Sequence, residues 1–195
     1  MNTFVCTILF IVTKLFGLLK IEGKTNIPSD QRYVVTCSHT SWIDVIMLAI
    51  AVYPTPVHFM AKKELFHSKI SRKFMESVKA FPVNRENPGP SALKIPLKIL
   101  KDNKCVGIFP SGTRTSEDVP LKRGAVTIAV KAKAPLLPAV YKGPSTVKQI
   151  LKGEKAVVIF GKPIDFEKEL QSVQKEQLIE SGVSLLETKM KQLQP

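Results

Sequence analysis

Short apolar runs alternate along this chain with longer stretches in which apolar and polar residues are mixed. The short runs are rich in β-branched residues and have the length of buried strands. They are residues 33–37, 57–61, 80–83, 105–109, 136–141 and 156–160. The longer stretches predict helices at residues 44–52, 62–79, 91–101, 124–132 and 167–193, and for the second of these a break near Ser68 is the alternative. This alternation predicts an α/β fold, with a mostly parallel or mixed central sheet that carries helices on both faces.

The amino-terminal residues 3–21 are mostly apolar, and a helix formed from them is weakly amphipathic. Its polar side chains gather in one arc, and the opposite side comprises Phe4, Ile8, Ile11, Leu15 and Leu18. Lys14 interrupts the run short of a comfortable membrane span, so the pattern favours a helix lying in the membrane interface over one that crosses the bilayer. We therefore divide the chain into an N-terminal membrane-interacting, interfacial helix, residues 1–22, and an α/β domain, residues 23–195. A helix packed on the domain core is the alternative.

The chain is strongly basic, and its excess charge is unevenly distributed. It has 29 Lys and Arg against 16 Asp and Glu, a net charge of +13. Residues 62–104 hold eleven of the basic residues and four of the acidic ones, a net charge of +7. Such a surface attracts anionic lipid, nucleic acid or phosphorylated ligands. No nucleic-acid-binding motif and no glycine-rich nucleotide loop is present, so we expect an anionic membrane surface and a phosphorylated ligand as partners, and no nucleic acid.

A histidine and an aspartate flank the turn between the strand at 33–37 and the helix that follows it. Four residues separate His39 from Asp44. On one helix this spacing would place them about 140° apart, so they meet only if His39 lies in the loop and Asp44 in the first helical turn. Ligands bind at such strand ends in α/β sheets, and a His–carboxylate pair suits general-base catalysis. The structural alternative is a capping box formed by Ser41 and Asp44, and the two roles are compatible.

Two further loops leave predicted strands, and each carries an arginine. Arg85 follows the strand at 80–83, and Arg114 follows the strand at 105–109. Because the carboxyl ends of parallel strands gather on one edge of a sheet, we expect both arginines near His39. Guanidinium groups bind phosphate oxygens bidentately, so the two loops predict a phosphate site. A solvated surface role for the arginines is the alternative.

The cysteines give no sign of a metal site or of a thiol nucleophile. There are three of them, with no C-x-x-C pair and no His spacing typical of zinc. Cys37 lies two residues before His39, but it stands inside an apolar strand, where a cysteine is usually buried filler. We therefore expect no bound metal.

Four blocks follow one another along the chain, at His39–Asp44 (HTSWID), Phe81–Arg85 (FPVNR), Phe109–Arg114 (FPSGTR) and Leu136–Val140 (LLPAV). In this order they resemble the four motif blocks of the glycerolipid acyltransferases, most closely the bacterial 1-acyl-sn-glycerol-3-phosphate acyltransferases. The resemblance runs from about residue 23 to residue 161.

The resemblance implies a role for each motif residue. His39 is the general base, Asp44 orients it, and Arg85 and Arg114 bind the phosphate of the acceptor. Further candidates for substrate binding, in the third block and the connecting segments, are Lys62, Ser111, Gly112, Thr113 and Lys122. Ser111 stands where the family usually has a glutamate that is linked to acceptor binding, so its presence bears on acceptor geometry.

The activity implied by the resemblance is the transfer of a fatty acyl group to the sn-2 hydroxyl of 1-acyl-glycerol-3-phosphate (lysophosphatidic acid), which gives phosphatidic acid. The donor is the thioester of acyl-CoA or of acyl carrier protein, and no bound cofactor is expected. The implied location is the cytoplasmic face of the cell membrane, as a peripheral or monotopic protein. The alternatives are transfer to another lysophospholipid or glycerol-phosphate acceptor, hydrolysis of the thioester, and a non-catalytic membrane-surface binding module of the same fold.

Overall fold

A seven-stranded sheet forms the centre of the computed structural model, which describes residues 3–29, 31–84, 88–109, 119–170, 174 and 177–194. The strands are β1 (Leu19–Glu22), β2 (Val34–Cys37), β3 (Val57–Lys62), β4 (Ala80–Val83), β5 (Cys105–Ile108), β6 (Leu136–Lys142) and β7 (Ala156–Phe160). They lie in the order β1-β7-β6-β2-β5-β3-β4. Neighbouring strands are parallel except for β6 and β7. The predicted mostly parallel α/β sheet is therefore confirmed.

Helices connect most of these strands. They are α1 (Thr3–Leu15), α2 (Trp42–Ala51), α3 (Lys69–Ser77), α4 (Ser91–Lys101), α5 (Val119–Ala132), α6 (Val147–Leu151), α7 (Phe166–Glu169) and α8 (Leu178–Gln192). The helical stretch predicted over 62–79 is divided near Ser68, as the alternative predicts, because residues 63–66 form a 3-10 turn and α3 begins after Ser68. The Ser68 hydroxyl caps α3 by accepting a hydrogen bond from the Ser71 amide at 3.0 Å.

The amino-terminal apolar run forms a helix followed by a strand, so the prediction of helix over residues 19–21 is wrong. Helix α1 ends in a Schellman motif, in which Gly17 has φ +60° and the Leu18 amide donates to the Thr13 carbonyl at 2.9 Å. The chain then pairs with β7, where Leu19 lies beside Ala156. Residues 19–22 are thus part of the sheet, and the division of the chain after residue 22 stays a prediction.

The connections place α2 and α3 on one face of the sheet and α4 and α5 on the other. From β2 to β3 and from β3 to β4 the chain moves in one direction across the sheet, and from β4 to β5 and β5 to β6 it returns. Right-handed crossovers therefore put α2 and α3 on the same face. The buried core agrees, since α1 and α2 pack with one cluster of apolar side chains, and α4, α5 and α8 pack with a second. We call these the α2 face and the α5 face.

Helix α1 turns its more polar side towards the domain. Thr13 is buried, and Phe10 stacks on Tyr53 with ring centroids 5.3 Å apart. The Thr7 hydroxyl lies 2.9 Å from the Tyr53 hydroxyl. The opposite side of the helix is exposed, and there Leu15 is 77% exposed. Among the described residues, no helix is both long enough and apolar enough to cross a membrane.

Candidate active site

The end of β2 positions a histidine at the carboxyl edge of the sheet. Strand β2 is buried between β5 and β6, and its last paired residue is Cys37. The next residue, Ser38, continues the attachment through its side chain, whose hydroxyl accepts a hydrogen bond from the Tyr141 amide at 3.0 Å. The residue before His39 is therefore held against β6 by a hydrogen bond, which fixes where His39 follows the sheet. Helix α2 begins three residues later, with Ser41 as its N-cap.

The Asp44 carboxylate joins the histidine to the start of α2. Its Oδ1 lies 2.9 Å from His39 Nδ1, and its Oδ2 accepts hydrogen bonds from the Thr40 and Ser41 amides at 2.6 and 2.8 Å. Asp44 is 0% exposed, whereas the His39 side chain is 22% exposed. One carboxylate thus caps the helix and holds the imidazole, so the capping interaction and the His–carboxylate contact are present together.

These bonds define which imidazole nitrogen faces a substrate. An ionised carboxylate only accepts hydrogen bonds, so His39 Nδ1 is the protonated nitrogen and Nε2 carries the free electron pair. No described residue hydrogen-bonds Nε2. The pair therefore has the arrangement of a general base held in its active tautomer.

One face of the His39 ring packs on aromatic side chains. The His39 ring packs on Phe109, which directly follows β5, with ring centroids 4.8 Å apart. Phe109 in turn stacks on Phe59 of β3 at 5.9 Å. Gly107 makes this stack possible, because a Cβ at that position would lie 2.5 Å from the Phe59 ring. The imidazole is thus fixed by a carboxylate at one nitrogen and by an apolar stack against its face.

An apolar cavity of about 300 Å³ opens beside His39, between α2 and α3. Four residues of α2 line one side, namely Trp42, Val45, Ile46 and Ala49. The rest of the lining comes mainly from β3, α3 and the turn between them, including Phe59, Met60, Leu65, Phe74, Met75 and Val78. Lys62, the last residue of β3, brings a positive charge to this lining. The cavity can hold a hydrocarbon chain whose polar end lies at His39.

The neighbouring ionisable groups remain protonated at neutral pH. Burial, with the nearby Asp44 charge, raises the pKa of the Cys37 thiol far above its usual range. Burial, again with Asp44, raises the pKa of Tyr141 to about 12. Cys37 is also completely buried, so a thiolate mechanism is not supported here. Within the described ranges, no group of three or more His, Cys, Asp or Glu side chains could hold a metal ion.

Comparison with known proteins identifies the family. Residues 18–142 match the family model described as Acyltransferase. The chain belongs to the acyltransferase family. It is 52% identical over 164 residues to the 1-acyl-sn-glycerol-3-phosphate acyltransferase of Bacillus subtilis, covering 84% of this chain and 82% of that protein.

A second relative agrees with this assignment, and a solved structure shares the fold. The 1-acyl-sn-glycerol-3-phosphate acyltransferase of Streptococcus pneumoniae is 38% identical over 160 residues, which cover 81% of this chain and 60% of the length of that relative. The crystal structure of the 1-acyl-sn-glycerophosphate (LPA) acyltransferase PlsC from Thermotoga maritima has a TM-score of 0.68 at 22% identity, covering 97% of this chain and 79% of that one. That structural similarity supports the α/β fold.

The structure places some of the predicted site residues of this acyltransferase together and others apart. His39 and Asp44 meet, and Lys62 lines the cavity beside them. Lys122 lies on α5, where its Nζ pairs with Glu187 Oε1 of α8 at 3.1 Å, and it is not part of the cavity lining. The predicted positions that lie outside the described residues are Arg85, Ser111, Gly112, Thr113 and Arg114. The functional roles of all these residues stay predictions.

The cavity of the acyltransferase was not predicted from the sequence. One signal for its α2 wall is present, since residues 42, 45, 46 and 49 have the i, i+3, i+4, i+7 spacing of one helix face. That spacing normally indicates a face packed on the core. Here the face borders an open cavity, because α3 stands off from α2 at that place.

Proposed function

We propose that this acyltransferase moves a fatty acyl group from an acyl thioester to the sn-2 hydroxyl of 1-acyl-glycerol-3-phosphate, giving phosphatidic acid. The observation that carries the proposal is the His39–Asp44 pair, which lies at one end of an apolar cavity. The printed names of the Bacillus subtilis and Streptococcus pneumoniae relatives support this acceptor.

The chemistry is proton transfer coupled to attack on the thioester. His39 Nε2 takes the proton of the acceptor hydroxyl as that oxygen forms a bond to the thioester carbonyl carbon. The carbon–sulfur bond then breaks, the ester is released, and the imidazolium returns its proton to the leaving thiolate. Asp44 stabilises the imidazolium through the Nδ1 hydrogen bond during this exchange. No metal is required for any step.

The cavity suits the acyl chain of the donor. Its lining is mostly apolar, so burying a hydrocarbon chain there removes apolar surface from water at about 0.8 kcal/mol for each methylene. The thioester carbonyl would then lie next to His39, where the cavity meets the carboxyl edge of the sheet. Holding both reactants in this geometry turns their encounter into an oriented one. Either acyl-CoA or acyl-loaded carrier protein can present such a chain.

The acceptor phosphate has candidate ligands in the segments that follow two other strands of the sheet. Strands β4 and β5 run parallel with β2 in the same sheet, and Arg85 and Arg114 follow them in the chain. We assign the phosphate to these two arginines, with Lys62, Ser111, Gly112 and Thr113 as further candidates. Lys122 is a weaker candidate, because its ammonium group already pairs with Glu187.

The acceptor reaches the protein from the cytoplasmic face of the cell membrane, where this acyltransferase binds as a peripheral or monotopic protein. Helix α1 supports this part of the proposal, because its polar side packs on the domain and its apolar side is exposed. An anionic surface would also attract a chain with a net charge of +13. Of the segment predicted to be interfacial, residues 1–22, helix α1 would therefore rest in the headgroup region, whereas residues 19–22 belong to the sheet.

The test is thioester consumption by the purified protein, measured with and without lysophosphatidic acid. We expect consumption that depends on the acceptor and yields phosphatidic acid. A protein with His39→Ala serves as the control for nonenzymatic loss of thioester. Consumption without acceptor would indicate a hydrolase, and no consumption by folded protein on any lysophospholipid or glycerol-phosphate acceptor would indicate a non-catalytic binding module. Either result would overturn the proposal.

A further inference from the structure

The exposed apolar side chains of the protein lie on one face of the sheet. Within the described part of the chain, the large apolar residues with exposed side chains are Ile8, Ile11, Val12, Leu15, Phe16, Trp42, Leu65, Ile70, Phe74, Val147 and Leu151. They belong to α1, α2, α3, α6 and the turns next to them. All of these helices lie on the α2 face, including α6, whose Ile150 packs on the core of that face. Helices α4, α5 and α8 of the other face contribute none among the described residues, so the distribution is not that of scattered surface residues.

Helix α3 has the composition of a helix that lies on a charged membrane. Ile70 is 85% exposed, and Phe74, one turn later, is 55% exposed. Lys69, Arg72 and Lys73 are exposed around them. Within the described residues, none of these three cations forms an ion pair, although the Arg72 guanidinium donates to the Phe66 carbonyl at 3.5 Å. Their positive charges are therefore not neutralised by a described carboxylate and can meet an external anion. Exposed apolar side chains surrounded by basic residues are typical of interfacial helices.

We propose that α3 is a second membrane-binding element, which enters a bilayer containing anionic lipid together with α1. The cavity between α2 and α3 then opens towards the lipid, so that an acyl chain can enter or leave it without crossing water. This consequence rests on the proposed function, whereas the docking of α3 does not. A bilayer provides both an apolar layer for Ile70 and Phe74 and a negative surface for the basic residues.

A second copy of this chain fits the surface less well. A symmetric dimer through α3 would bring Lys69, Arg72 and Lys73 of one protomer close to the same residues of the other. Like charges facing each other across an interface are unfavourable unless acidic residues intervene. The only acidic residue within α3 is Glu76. Charge therefore favours lipid over self-association as the occupant.

The only tryptophan of the sequence provides a direct measurement of this contact. Trp42 is 55% exposed and lies at the cavity, on the same face as α1 and α3. The full-length protein is mixed with vesicles of phosphatidylcholine, alone or together with phosphatidylglycerol, in which the acyl chains are brominated. We expect the emission of Trp42 to shift to shorter wavelength and to be quenched on the anionic vesicles. Emission that does not change while the protein co-sediments with the vesicles would place another face on the membrane and overturn the proposal.

Substitutions in α3 separate its contribution from that of α1. We expect Ile70→Ser to lower the vesicle partition constant about tenfold, because Ile70 is exposed and does not line the cavity. We expect Lys69→Gln with Lys73→Gln to weaken binding to anionic vesicles by about fivefold for each charge, and to matter little on neutral vesicles. The matched control is Lys94→Gln with Lys98→Gln in α4, which removes two exposed charges from the α5 face.

The outcomes distinguish the possible occupants of the surface. The control should bind almost as the wild type does, because its charges lie on the far side of the sheet from the bilayer. Equal binding by the α3 variants and the wild type, with circular dichroism showing intact folding, would overturn the proposal. If the α3 variants differ from the wild type in molecular mass by sedimentation analysis but bind vesicles equally well, the surface belongs to a second copy of the chain. That result would also overturn the proposal. None of these measurements uses acyl transfer, so they can fail while the proposed function stands.

Discussion

The replacement Asp44→Asn tests the two roles proposed for the Asp44 carboxylate, which caps α2 through Oδ2 and fixes the His39 tautomer through Oδ1. Asparagine has almost the same shape, but one of its two terminal groups is a donor. If its oxygen accepts the Thr40 and Ser41 amides as Asp44 Oδ2 does, its amide nitrogen faces His39 Nδ1. Nδ1 must then become an acceptor, and the proton moves to Nε2. The imidazole would be held in place but in the tautomer that cannot take the proton of the acceptor hydroxyl.

The expected loss of activity is large and the expected loss of stability is small. General-base catalysis contributes about 10²–10⁴-fold, and a wrong tautomer removes most of it. The cap survives in part, because the two amides keep an acceptor, and the change from charged to neutral hydrogen bonds costs about 1–2 kcal/mol. For a chain of this size, that cost lowers the melting temperature by roughly 2–4 °C per kcal/mol. Asp44→Ala should add the cost of two buried amides without an acceptor, about 1–3 kcal/mol for each.

The assay combines turnover with thermal unfolding for the wild type, Asp44→Asn and Asp44→Ala. We expect both variants to lose activity to a similar extent, while only Asp44→Ala loses much stability. Nitrogen NMR of His39 would report the tautomer directly. If Asp44→Asn turns over near the wild-type rate, or keeps the proton on Nδ1 and is still inactive, the reasoning about the tautomer is refuted.

Four further substitutions test the rest of the site. His39→Ala should reduce turnover at least as much as Asp44→Asn, and near-normal turnover by a folded variant would remove His39 from the mechanism. Arg85→Ala and Arg114→Ala should each raise the KM for the phosphorylated acceptor, because each variant loses a charged contact worth about 1.5–3 kcal/mol. The KM for the thioester should stay unchanged. A rise confined to the donor would assign the arginines to donor phosphates. Gly107→Ala should lower both stability and turnover by displacing the phenylalanine stack under the imidazole, at a cost of about 1–3 kcal/mol. Its matched control is Gly124→Ala, which fills open space on α5 and should leave turnover unchanged.

Strands β2, β5 and β6 could be predicted from sequence because each is buried on both faces. Such strands are continuous runs of apolar, β-branched residues, and the runs match the observed strands to within two residues. Strand β1 was missed for a related reason. It follows an apolar helix directly, so the composition does not change where the structure does. Gly17, whose left-handed conformation ends α1, was the signal for that boundary. The short helix α6 was also missed, although Thr146 and Gln149 have the spacing of a capping box.

The histidine–aspartate pair could be predicted because it depends on local geometry. A strand, a turn and the first turn of a helix bring residues five positions apart within hydrogen-bonding distance, whatever the rest of the chain does. The cavity depends on distant parts of the chain instead. Its walls come from α2, β3 and α3, and its volume depends on how far α3 stands from α2. The separation of α2 and α3 cannot be predicted from the residue pattern within either helix.

Helix α1 shows why the sequence left two interpretations of the amino terminus open. Both a core-packed helix and an interfacial helix were compatible with one polar arc and one apolar side. The structure combines them in an unusual way, because the polar arc packs on the domain through Thr7, Phe10 and Thr13, and the apolar side faces outwards. A helix bathed in water on its outer side would gain stability from the reverse orientation, with the apolar side on the core. The observed orientation is favourable where the outer medium is itself apolar. Helix α3 also exposes an apolar side chain, Ile70, beside its basic residues and on the same face. The orientation of both helices therefore favours one membrane plane that passes the entrance of the cavity.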